Sequence, residues 1–154
     1  MRSFLLPLLC LAFVVAGCDS VPTRVRERFE APQPQVRTYA ADQRAVFDAA
    51  VVALKTIDFE ISRSRPNQGI LAAHSRIQAS DAFSGEARQY TFDLTVALND
   101  AGQVDLSALL RQQDESAAFA GATNIALRQH GLYDAFFAAL EIELRKTGAI
   151  PAAK

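Results

Sequence analysis

An α+β domain, with two helices covering one face of a four-stranded antiparallel sheet, is the fold this sequence predicts. Two stretches carry apolar residues at helical spacing, one early and one late in the globular part. Between them four runs alternate apolar and polar residues, and two of the connections hold turn chemistry that pairs neighbours antiparallel. The chain has 154 residues, 50% hydrophobic and 21% charged, with a formal net charge of −1. That suits one domain with its own core and excludes a disordered chain, a collagen or a coiled coil. The 16 basic and 17 acidic residues are not sorted into runs, which argues against a dedicated nucleic-acid binder with its clustered basic excess.

The first helix spans residues 42–57. Asp42 supplies a capping carboxylate, and Phe47, Ala50, Leu54 and Ile57 form one apolar stripe. Asp58 follows, a residue type that tolerates the left-handed conformation at a helix end. The period then becomes two. Phe59 and Ile61 alternate with Glu60 and Ser62, and Arg65-Pro66-Asn67-Gln68-Gly69 reads as a turn with Pro pre-set and Gly free to take positive φ. The return strand alternates Ile70, Ala72 and His74 with Leu71, Ala73 and Ser75, and the phase of His74 places it on the core face or its rim.

Residues 78–87 read as a small-residue loop with Phe83 at its middle. The clearest strand follows, with Tyr90, Phe92, Leu94, Val96 and Leu98 on one face and Thr91, Asp93 and Thr95 on the other. Asn99-Asp100-Ala101-Gly102 is a hairpin turn, and Val104, Leu106, Ala108 and Leu110 alternate after it. Residues 112–124, rich in Ala, Gly and Ser, read as irregular, with Phe119 and an isolated Gly121 among them. The second helix covers 132–146, its stripe made of Tyr133, Phe136, Phe137, Leu140 and Leu144, and Gly148 stops it. The order is α-β-β-β-β-α, and a two-layer sandwich buries every apolar face.

The N-terminus predicts an address. Met1-Arg2-Ser3 is a positive start, and Phe4–Ala16 is an apolar run too short to span a hydrocarbon core, which takes about 20 residues. Such a segment reads as a secretory signal peptide. Val15-Ala16-Gly17-Cys18 then resembles the lipobox of bacterial lipoproteins, an aliphatic residue, two small ones and Cys. The resemblance implies cleavage between Gly17 and Cys18, a diacylglyceryl group on the Cys18 thiol, and acylation of its new amino group. No phosphate-binding loop occurs in the sequence, and no cofactor is expected. Asp19 lies where the lipoprotein sorting machinery reads the chain, and Asp there favours the inner over the outer membrane, on the periplasmic side. Residues 18–41 are then the lipidated Cys and an extended tether, with Pro22, Pro32 and Pro34, and 42–154 the single domain. Arg24, Arg26 and Arg28 in the tether either touch anionic headgroups or, diluted by Glu27 and Glu30, are simply solvated. Cys10 leaves with the signal and Cys18 is consumed, so the mature domain rests on its core without a disulfide.

The element order over 42–147 resembles the small helix-on-sheet modules of Gram-negative envelope lipoproteins, such as those of the barrel-assembly-machinery lipoprotein BamC. That resemblance implies a non-enzymatic binding or assembly module of the envelope.

Catalytic patterns are sparse. His74 and His130 are far apart, and no HxxxH, HxH or Cys pair supplies a zinc set, so no metal is expected. His74 and Ser75 are adjacent, so on a strand they point to opposite faces and cannot pair as base and nucleophile. Asp93 and Asp105 read as solvent-facing. Phe83 and Phe119, apolar residues outside the periodic elements, are the candidate contacts for an envelope partner, or else tuck under the sheet edge. The expected function is therefore a membrane-anchored binding module; the alternative is a carrier or sensor of a small apolar ligand held between sheet and helices.

Overall fold

The computed structural model describes residues 33–79, 86–116 and 119–151. The first helix, α1 (Gln43–Thr56), starts where the Asp42 carboxylate accepts the backbone N–H groups of Arg44 and Ala45. It buries Val46, Phe47, Ala49, Ala50, Ala53 and Leu54. Asp58 then takes φ 62 and turns the chain into β2 (Phe59–Arg65). The second helix, α2 (Gly131–Lys146), buries Tyr133, Phe136, Phe137, Ala139, Leu140 and Leu144. No helix among the described residues is long and apolar enough to cross a membrane.

Among the described residues the sheet has seven strands, not four. Besides β2 they are β1 (Gln35–Tyr39), β3 (Ile70–Ser75), β4 (Gln78–Ala79), β5 (Glu86–Leu98), β6 (Val104–Ser116) and β7 (Phe119–Leu127). The main order is β1-β6-β5-β3-β2, with β4 on β5 and β7 on β6, and the ladders are antiparallel. The long β5–β6 hairpin is the spine. Its turn half is flanked by β3 and β1, and its far half by β4 and β7. Asn99 closes the turn, its carbonyl accepting from Gly102 and its side chain from Ala101 and Gln103.

Both helices pack on one face. Phe92, at the centre of that face, meets Phe59 at 5.2 Å, Phe136 at 5.3 Å and Tyr133 at 5.7 Å. Leu71, Leu94, Leu106 and Leu110 are completely or almost completely buried around it. The Tyr133 hydroxyl accepts from Leu110 N–H at 2.8 Å and donates to Leu127 O at 2.9 Å, satisfying two strands from one helix.

Several expectations change. Residues 35–39, placed in the tether, form β1. Arg37 holds it to α2, its guanidinium 4.1 Å from the Phe137 ring centre and 2.8 Å from Glu141. Within the stretch 112–124, expected to be irregular, residues 112–116 end β6 and 119–124 are most of β7; the β6 ladder organises a segment whose own composition favours no strand. Gln78, Ala79, Glu86 and Ala87, expected in a loop, are strand residues. His74 does not face the core. Leu71, Ala73 and Ser75 do, which puts His74 on the open face beside Glu60, 3.8 Å away. Leu98 keeps the phase of Phe92 but lies past the helix layer and is 62% exposed.

Candidate functional site

The helix layer ends before the sheet does, and a cleft of about 490 Å³ opens at that boundary. This size is within the usual range of ligand pockets, roughly 300–1,000 Å³. The break in strand pairing creates it. The β3–β5 ladder runs to His74↔Thr91 and pairing resumes at Gln78↔Arg88, so β3–β4 takes four steps where β5 takes three. The extra residue is a bulge. Ser75 repairs the ladder there: its hydroxyl accepts the Tyr90 N–H at 2.9 Å and donates to Arg76 O at 3.0 Å, while its carbonyl accepts from Gln89. Arg76 and Gln78 are carried into the cleft wall.

The opposite walls come from helix ends. The C-terminal end of α1 contributes Ile57 and Asp58, and Phe59 follows as floor. Asp58 sits in the left-handed region, costly for most side chains but accessible to Asp. The N-terminal end of α2 contributes Leu132 and His130. His130 is the N-cap, with Nδ1 accepting the Leu132 N–H at 3.2 Å, and its ring lies 5.2 Å from that of Tyr90. Accepting at Nδ1 leaves the neutral ring's proton on Nε2, a donor. The cleft thus lies between the negative end of one helix dipole and the positive end of the other. Farther along the same sheet face, outside the cleft lining, Arg88 and Asp114 pair at 2.8 Å. The Arg88 guanidinium, and then the Gln112 amide, hold the Asp114 carboxyl below the usual carboxylate range.

Of the residues singled out in the sequence, Gly17, Cys18, Asp19 and Phe83 lie outside the described residues. Phe119 begins β7 opposite Ser116, in a strand and not in a loop. Asp93 and Asp105 are on the open face; Arg111 lies 3.3 Å from Asp93, and Thr38 and Asn99 donate to Asp105. No cluster of three or more His, Cys, Asp or Glu suited to a metal occurs among the described residues. The cleft residues went unrecognised in the sequence because they are drawn from six separate elements. Two local signals pointed to its walls, Asp58 at a helix end and His130-Gly131 at a helix start. No protein-family model and no curated protein matches the chain.

Proposed function

We propose that this protein is an envelope lipoprotein, held by acyl chains on Cys18 at the periplasmic face of a membrane, whose domain binds another envelope component without catalysing a reaction. The observation that carries this reading is Val15-Ala16-Gly17-Cys18 directly after a short apolar run. Two or more acyl chains, at about 0.8 kcal/mol per buried CH₂, make a lasting anchor. The α+β architecture, helices on one face of an antiparallel sheet, agrees with the likeness to small envelope-lipoprotein modules. Phe83 and Phe119 remain candidate partner contacts in this reading, and the cleft is its candidate binding site. The alternative, an apolar ligand held between sheet and helices, has less support, because Phe92, Phe136, Phe137 and Tyr133 fill that layer.

The anchor is tested by palmitate labelling of cells expressing wild type and Cys18→Ala. Label in wild type alone, with the variant lost from the membrane fraction, is expected; equal label in both overturns the lipoprotein reading. Asp19 places the anchor in the inner membrane, so wild type should band with that membrane on a density gradient and Asp19→Ser should shift outward. Wild type already in the outer-membrane band refutes the sorting argument and leaves the anchor intact.

A further inference from the structure

We infer that the cleft at the helix ends binds an apolar amino acid as its zwitterion, ammonium toward Asp58 and carboxylate toward Arg76 and His130. The inference rests on the reading of the cleft as the binding site and is independent of the acyl anchor.

Asp58 and Arg76 flank the last β2–β3 pair, Phe59↔Ser75, as the next residue on each strand. Both lie just past that end of the ladder, Asp58 at the C-terminal end of α1 and Arg76 in the bulge between β3 and β4. Both residues line the cleft and both are exposed. Neither has an ion-pair partner among the described residues. A carboxylate and a guanidinium so placed yet unpaired leave two opposite charges for a ligand to meet. The helix ends have the same polarity, with the negative end of α1 beside Asp58 and the positive end of α2 at His130, whose Nε2–H is the free donor.

Three simpler ligand classes each fail on one wall. An anion alone meets Asp58, a cation alone meets Arg76, and an uncharged apolar body strips water from both without replacement. A ligand with an ammonium and a carboxylate on one carbon answers both charges at once. Its side chain then lies against Phe59, Ile57 and Leu132, the apolar part of the lining.

The test is titration of the isotope-labelled full chain, in a non-ionic detergent, with leucine, N-acetylleucine, leucinamide and phosphoethanolamine. Backbone amide shifts are followed by NMR. Leucine should give saturable shifts centred on residues 57–59, 75–78 and 130–132. Removing either charge from the ligand should weaken binding about tenfold, the loss of one charge-assisted contact. Phosphoethanolamine, a lipid headgroup with both charges and no apolar stem, should bind at least tenfold more weakly than leucine. Asp58→Asn, which keeps a residue tolerant of positive φ, should erase the preference for leucine over N-acetylleucine. Arg76→Gln should erase the preference over leucinamide. Absence of saturable shifts with leucine overturns the inference, as does equal binding of N-acetylleucine or leucinamide by wild type. Phosphoethanolamine binding as tightly as leucine also overturns it, since the apolar lining would then play no part. None of these outcomes bears on palmitate incorporation at Cys18, so the anchor stands or falls separately.

Discussion

Gly69 offers a sharp test of how the two halves of the sheet are joined. It ends the 3₁₀ turn Pro66–Gln68 at φ 66, and its carbonyl accepts the Val96 N–H at 2.8 Å. A β-carbon added there would lie 2.0 Å from the Val96 carbonyl oxygen, which already accepts from Gln43 Nε2 at 2.9 Å. Gly69→Ala therefore carries two costs. The left-handed backbone costs an L-residue about 1–2 kcal/mol. The overlap forces β3 and β5 apart by roughly 1 Å or more to restore ordinary contact, weakening two hydrogen bonds each worth about 1 kcal/mol. The expected loss is about 3–4 kcal/mol, lowering the melting temperature by roughly 10–15 °C for a domain of this size. Gly102 is the internal control. Its φ is 74 but nothing lies within 4 Å of the added carbon, so Gly102→Ala should lose only about 1–2 kcal/mol. Urea unfolding followed by far-ultraviolet circular dichroism measures both. Equal losses at the two glycines would refute the close approach of β3 to β5 as the cause.

The one-sided core predicts that Phe92→Ala costs about 3–5 kcal/mol, whereas Asp93→Ala, on the open face, costs under about 1 kcal/mol; similar urea midpoints for the two would refute the assignment of faces. Tyr39 carries a pH dependence. Burial first, and the Glu141 carboxylate second, push its hydroxyl from 10.0 up to about 12. A raised folded value means that the unfolded chain ionises first, so stability is intact below pH 10 and falls as pH climbs from about 10 to about 12. The nearby Arg37 guanidinium opposes the rise only in part, and no well-formed hydrogen bond to the hydroxyl occurs among the described residues, so Tyr39→Phe should leave neutral stability equal or higher and flatten the alkaline decline relative to wild type. A variant that loses stability at pH 7, or declines as steeply, would show that the hydroxyl is paired or ionises freely in the folded state.

Both helices were legible because each is amphipathic by itself: a stripe at helical spacing, a cap at Asp42 and a break at Asp58 are local properties. The Phe59–Ser75 and Tyr90–Leu110 hairpins were legible for the same reason, since alternation and turn residues lie within a few positions of one another. The partners of the spine were not. Strand β1 puts Arg37 on the helix side, where Phe137 and Glu141 compensate its charge, and those residues lie about a hundred positions away. Strand β7 has a composition that favours no strand, and its form comes from the free edge of β6. The phase of β3 was misjudged because Ile70, Ala72 and Leu71, Ala73 offer nearly equal apolar sets, and only packing under the helices chose the latter. The cleft has no single motif in the sequence beyond the two helix-end signals at Asp58 and His130-Gly131, because its walls are two helix ends and a one-residue bulge brought together by folding. Local periodicity, capping and the Cys18 segment were written in the sequence by residues that act on near neighbours. Strand number, the choice of buried face and the placing of Asp58, Arg76 and His130 around one cleft were decided by tertiary structure, because each depends on contacts between segments far apart in the chain.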